Sequence, residues 1–218
     1  MARRTRPRTP LNRERVLRAA IELADDEGID SLTMRGLAAR LDVEAMSLYN
    51  HVANKDDVLD GMVELVAEEI EEPAGDADWS AAVRQRSISA HDALLRHPWS
   101  SLLWTSRTST GPARMRHVDA LLRDLREAGF APGVLDLAFH TLQNHVIGHA
   151  LQRSSFAFDA DDLPRLSAEF LHDFPADDYP DLADHIRYHV EQTSPERSAF
   201  EFGLDLILDG LERIRHAG

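Results

Sequence analysis

The stretch Leu32-Thr33-Met34-Arg35-Gly36-Leu37-Ala38-Ala39-Arg40-Leu41-Asp42-Val43-Glu44-Ala45-Met46-Ser47-Leu48-Tyr49-Asn50-His51-Val52 decides how this chain is read. Thr33 has the side chain of a helix N-cap, and Leu37, Ala38 and Leu41 recur at the spacing that sets them on one face. Asp42-Val43 breaks that helix. A helix of about two turns is expected to follow, with Leu48 and Val52 at i, i+4 placed to pack on Leu37 and Leu41. Two short helices around a tight break form the layout of a helix-turn-helix, whose second helix enters the major groove of DNA. Its outward face would carry Ala45, Met46, Ser47, Tyr49, Asn50 and His51. These offer a hydroxyl, a phenol, an amide and an imidazole beside apolar groups suited to a thymine methyl. By pattern alone the segment also fits a plain helical hairpin.

Working outward, Asn12 can cap a preceding helix whose apolar stripe is Val16, Leu17, Ala20, Ile21 and Leu23/Ala24, with Gly28 as its stop. Asn54 can cap a following helix, with Asp56 and Asp57 in the first turn favouring the positive end of the dipole. Beyond a Pro/Gly/Asp-rich break at 72–78, with a short apolar piece at Trp99–Arg107, helical periods return over Trp79–Arg96, Met115–Ala128 and Val134–Leu151. The last of these is apolar nearly all round, so burial on several sides is expected. Residues 157–184 carry nine acids, one base (Arg165) and three prolines. That segment reads as a solvated, partly mobile connection with short helical pieces at Leu163–Phe170 and Leu182–Val190. A final helix is expected from Pro195 to Ile214. With no convincing strand, the fold class is all-α: an N-terminal three-helix bundle with the helix-turn-helix, and a larger C-terminal helical domain. The expected divisions are a flexible basic arm (1–11), the helix-turn-helix DNA-binding domain (12–58) and a helical body (59–218), to which the resemblance given below assigns effector binding and dimerisation.

Charge is distributed unevenly along the 218 residues. The net charge is −14, yet residues 1–55 hold ten basic residues against eight acids, and the first 18 hold seven arginines against Glu14 alone. An acidic body with a basic front end implies that only the front meets a polyanion; a solvated tail is the other reading. The chain has no cysteine, which removes disulfide scaffolds, thiolate zinc sites, iron–sulfur ligation and Cys nucleophiles. No apolar run approaches the ~18 residues of a membrane span, and the basic N-terminus lacks a signal peptide's apolar core, so a cytoplasmic protein without a membrane partner is expected. No nucleophile elbow, phosphate-cradling Gly loop or HExxH site is present, so the chain is not expected to be an enzyme or to hold a cofactor.

The segment 32–52, followed by Asn54-Lys55-Asp56, strongly resembles the DNA-binding domain of TetR-family transcriptional repressors. The end of the chain, Phe200-Glu201-Phe202-Gly203-Leu204-Asp205-Leu206-Ile207-Leu208-Asp209-Gly210-Leu211-Glu212, resembles that family's tetracycline-repressor-like regulatory domain. The resemblance implies that Arg35 reads a base edge and that Ala45 and Met46 face bases. It implies phosphate contacts for Thr33, Ser47, Tyr49, His51 and Lys55; Asn50 reaches either phosphate or a base edge, and Tyr49 packing on the first helix is the alternative. Asp42 stands where the family usually has Gly. The partners implied are a double-stranded DNA operator, a small-molecule effector and a second copy of the chain, paired through the Val134–Leu151 and Pro195–Ile214 helices with Gly203 and Gly210 permitting close approach. Burial of those helices inside a monomer is the other reading.

The effector pocket is expected from Trp104, Phe139, Leu142, Asn144, His145 and Gln152, with Arg86 and Arg107 as anion partners. Trp104 or Thr105, and Gln152, stand where the tetracycline repressor has metal-linked His and Glu, which argues against magnesium–tetracycline as ligand. The pairs His145/His149 and His185/His189 have helical metal-ligand spacing but no third ligand, so no metal site is assigned. The function expected is a ligand-responsive repressor that binds a palindromic operator as a homodimer and releases DNA on effector binding. The alternative is a dimeric helical interaction protein that has lost specific DNA binding.

Overall fold

A computed structural model describes residues 10–75, 77–107, 111–155, 162–191 and 198–217, and these contain helices and turns with no strand. The expected arm is therefore mostly outside the described residues. The helices are α1 (Arg13–Glu27), α2 (Met34–Arg40), α3 (Ala45–Leu48), α4 (Lys55–Glu68), α5 (Trp79–Arg96), α6 (Ser100–Ser106), α7 (Pro112–Glu127), α8 (Pro132–Ser155), α9 (Leu163–His172), α10 (Pro180–Glu191) and α11 (Ala199–Ala217), with a short 3-10 turn at Ile29–Ser31.

The helix starts follow their caps. Asn12 Oδ1 accepts from the Arg15 N–H at 2.8 Å, Thr33 Oγ1 from Gly36 at 3.0 Å, and Asn54 Oδ1 from Asp57 at 2.9 Å. Each cap satisfies a donor that the first helical turn leaves unpaired. α1 stops at Gly28, whose φ of 83° costs glycine nothing. α3 is shorter than the two turns expected: it is a single turn, followed by turn residues Tyr49 to His51. The Leu48 carbonyl accepts from both His51 (2.8 Å) and Val52 (3.0 Å), so the chain tightens there and leaves the helix to reach the Asn54 cap.

Leu37, Leu41, Leu48 and Val52 meet α1 and α4 in one core with Val16, Leu17, Ala20, Val58 and Met62. Ala93 of α5 and Trp99, just before α6, belong to the same cluster, so the head is seated on the body rather than tethered to it. A second core joins Val63 and Ala67 of α4 to α5, α6, α7, α8 and α11. α4 supplies both cores and runs unbroken through residues 58 and 59, so the expected domain boundary falls within one helix.

Burial on several sides is expected of α8, and its own chain supplies part of it. Within the chain it buries one stripe, Ala138, Leu142, Val146 and Ala150, while Leu137 and Leu151 face outward. α11 likewise buries Phe200, Leu204, Leu208 and Leu211 and exposes Phe202, Leu206 and Ile214. A helix can bury only the side that its own chain covers, and here α5, α7 and α11 cover one side of α8. Gly203 serves packing inside the chain: a Cβ there would lie 2.6 Å from His145 Cε1. α9 and α10 pack chiefly on each other. Pro195, the expected start of the last helix, lies outside the described residues.

Candidate functional site

The first site is the surface of the head. Packing of Leu48 and Val52 into the core turns the other side of α3 outward: Met46 is 75% exposed and Tyr49 45% exposed. Tyr49 is thus partly open to solvent. Thr33, Arg35, Asn50 and Lys55 are also exposed, and Ala45, Ser47 and His51 are half-buried at the edge of the same element. All nine residues expected at DNA thus belong to α2, to α3 and the turn after it, or to the start of α4, around one core. The Thr33 hydroxyl oxygen already accepts the cap bond, and its O–H remains a donor.

Two ion-pair groups hold this surface. Arg13 donates to both carboxylate oxygens of Asp57, at 2.8 and 2.6 Å, and Asp57 also accepts from the Ala53 N–H at 2.8 Å. The guanidinium fork keeps the Asp57 carboxyl below the usual carboxylate range and fixes the corner between the reader turn and α4. Arg40 of α2 meets Asp26 of α1 at 2.5 Å and Glu22 at 3.8 Å. Sequence reading placed Arg13 in the basic front end and missed its pairing, since a contact 44 residues away leaves no local pattern.

The second site lies inside the body. A closed cavity of about 10 Å³ is lined by Val66, Ile70, Ala90, Ala93, Leu94, Trp104, His117, Gln143, Val146 and Ile147. A neighbouring pocket of about 190 Å³ is lined by residues that include Glu72, Arg86, Arg116 and again Ile70 and His117. His117 is 5% exposed, stands edge-on to Trp104 with centroids 6.1 Å apart, and its Nδ1 has no hydrogen-bond partner. Burial, with the charge of Arg86 added, pushes its pKa down to about 4, so the ring is neutral at pH 7. Arg86 is buried and bonded to Asp124 (3.2 Å) and Glu72 (3.0 Å). Arg114 lies 5.0 Å over the Trp104 ring and donates to the Trp104 carbonyl at 2.6 Å. This closed chamber has room for about one water, and His117, whose Nδ1 has no partner, lines it.

Of the residues expected in the pocket, Trp104 lines the chamber and Arg86 the neighbouring pocket. Leu142 is in the body core, and Phe139 packs half-buried against that core. Asn144 and Gln152 face outward on α8. Arg107 is engaged elsewhere, with Asp56 at 3.1 Å and with Asp60 of α4. His145 Nε2 lies 2.8 Å from the Phe200 carbonyl oxygen, away from the chamber residues. His117 was missed because it falls within the buried stripe of α7 with Ala113, Ala120, Leu121 and Leu125, where a histidine reads as core; an imidazole inside an apolar stripe was the available signal.

His91, His145 and His149 gather around Phe200. His91 Nε2 is 2.8 Å from His149 Nδ1, and the His91 ring stacks on Phe200 at 3.7 Å. Burial and then the neighbouring His149 push His91 down to about 4. No group of three or more His, Asp or Glu side chains among the described residues has an arrangement that could hold a metal ion. The side chain of His189 lies outside the described residues. No described helix is long and apolar enough to cross a membrane.

A helix-turn-helix head seated on a helical body with an internal chamber defines a DNA-binding regulator. The model described as "Bacterial regulatory proteins, tetR family" matches residues 16–62, and that described as "Tetracyclin repressor-like, C-terminal domain" matches residues 72–215. The chain is 33% identical over 217 residues to the HTH-type transcriptional repressor DrrR1 of Streptomyces coeruleorubidus, covering 94% of this chain and 79% of that protein. Its structure resembles that of a "possible TetR family transcriptional regulator" from Streptomyces coelicolor A3(2), with a TM-score of 0.78, 34% identity and coverage of 93% and 100%. It also resembles Streptomyces coelicolor ActR in complex with actinorhodin, with a TM-score of 0.75, 28% identity and coverage of 94% and 96%. The chain belongs to the TetR family and is a transcriptional regulator, not an enzyme.

Proposed function

We propose that this protein is a ligand-responsive repressor that grips a palindromic operator as a homodimer and lets go when a small molecule enters the body. The outward face of α2 and α3 carries the reading. Arg35 takes a guanine edge bidentately, Ala45 and Met46 contact bases, Thr33, Ser47, Tyr49, His51 and Lys55 meet the backbone, and Asn50 reaches either phosphate or a base edge. The exposed stripes of α8 and α11 pair with their copies, because a palindrome requires two heads whose reader helices lie ~34–36 Å apart. DrrR1 bears the name repressor and ActR has been crystallised with a small molecule, which supports the same division of labour here. The effector enters at Arg86 and His117 and lies against Trp104. The chamber has room for about one water in its closed form, so a ligand must push α4, α6 and α7 apart, and that movement reaches the heads.

The test is selection of duplexes from a random pool, followed by anisotropy titration at ~100 mM salt. The selected site should be a palindrome, and Arg35→Ala should reduce discrimination against the mismatched base by ~1–3 kcal/mol while generic DNA binding persists. Enrichment of no sequence would defeat the reading and favour the interaction protein, for which Arg35→Ala is silent.

A further inference from the structure

The contact between head and body converges on one residue that the DNA surface and the chamber do not use. His97 precedes Pro98, and the residue before a proline is pushed out of helical geometry; α5 accordingly ends there, with His97 at φ −124°, ψ 78°. That turn drives the imidazole into the seam, where it is 9% exposed. Its Nδ1 lies 3.0 Å from both carboxylate oxygens of Asp25 on α1, and its Nε2 lies 3.0 Å from Oε1 of Glu69, at the end of α4. Trp99 Nε1–H donates to Asp25 at 2.6 Å, and Arg96 donates to Glu69 at 2.8 and 3.0 Å. The charged groups that meet here are therefore Asp25 from α1, Glu69 from α4 and Arg96 from α5, while the segment leading into α6 adds the indole of Trp99.

We propose that His97 is the positioning residue that sets the angle of the DNA-reading head on the body, by holding α1 and the end of α4 together through its two ring nitrogens. Both bonds exist at once only when both nitrogens carry protons, because a neutral imidazole has one N–H and must release either α1 or α4. The position suits transmission. Glu69 stands next to Ile70 and three residues after Val66 on one wall of the chamber, and Trp99 leads into α6, which carries Trp104 on another. A molecule that displaces either wall moves a partner of His97, and Asp25 carries that movement into the helix on which the reader is packed. No residue of this seam is a base or phosphate contact, so its effect on DNA would act through head geometry alone.

The inference rests on the dimeric reading above, and the experiment separates the two. The chain has no cysteine, so Asp30→Cys, an exposed position just after α1, places one spin label on each head of the full-length protein. Double electron–electron resonance then reads the distance between heads. In the parent a single narrow distribution is expected. His97→Ala should broaden and shift it and weaken binding to the selected operator about five- to tenfold, at the lower end of coupling factors between sites. Asp25→Asn should do the same, and the double variant should be no worse than either single one, because the two act as a unit. If His97→Ala does not fold, Asp25→Asn and Glu69→Gln carry the test. Superimposable distributions in parent and variants overturn the role of His97 and leave the dimer standing. Absence of dipolar coupling in the parent removes the dimer and this inference with it.

Discussion

Asp42 turns the chain between the two helices of the reading motif with φ of 53°, the one non-glycine residue of positive φ among the described residues. A Cβ strains that conformation, and Asp bears it better than most because its short side chain bonds locally. Asp42→Gly should therefore stabilise the head by about 0.5–1 kcal/mol, net of the extra chain freedom that glycine brings to the unfolded state. A thermal melt should rise by about 2–4 °C per kcal/mol gained, with operator affinity unchanged. A fall in melting temperature would show that Asp42 holds the turn by its side chain. Strain at Asp42 was legible from residue type and motif position. The pairing of Arg13 with Asp57 was not, because nothing near either residue in sequence names the other.

Among the elements, helix starts were legible wherever a side chain caps them, as at Asn12, Thr33 and Asn54. α3 was overestimated, since Tyr49 to His51 keep helical spacing while the Leu48 carbonyl closes the turn early. α8 reads in sequence as a helix buried on several sides, and its own chain covers one stripe. The other side, with Leu137 at 68% exposure, and the outer face of α11, with Leu206 at 56%, are apolar surfaces facing water. Leu137→Glu with Leu206→Glu should give a monomer in light scattering with helical content retained, and the selected operator should then bind only as weakly as generic DNA. A dimer of undiminished stability in that double variant would place the interface elsewhere. The pocket residues on α8 show the same limit: Asn144, His145 and Gln152 share a helix with Gln143, Val146 and Ile147 but do not line the chamber with them.

At the scale of the whole molecule, stability is coupled to protons through histidines held neutral. His91 and His117 are each pushed from 6.5 down to about 4, chiefly by burial, so the folded state resists protonation while the unfolded chain accepts it. Their contribution is complete above pH 6.5 and is lost progressively as pH falls toward 4. Urea unfolding at pH 5.5 should show a loss of about 1 kcal/mol for each histidine relative to pH 7.5. His117→Gln should remove its share of that dependence, and an unchanged slope would mean that water already reaches the ring. The sequence by itself determined the helical periods, the caps and the short reader motif with its polar outer face, because these depend on residues within a turn or two of one another. Tertiary structure alone decided which side of α8 is covered, that His117 rather than Asn144 or Gln152 faces the chamber, and that His97 joins Asp25 to Glu69. Those outcomes depend on chain segments far apart in sequence arriving at the same place, and the packing of two cores around α4 is what brings them there.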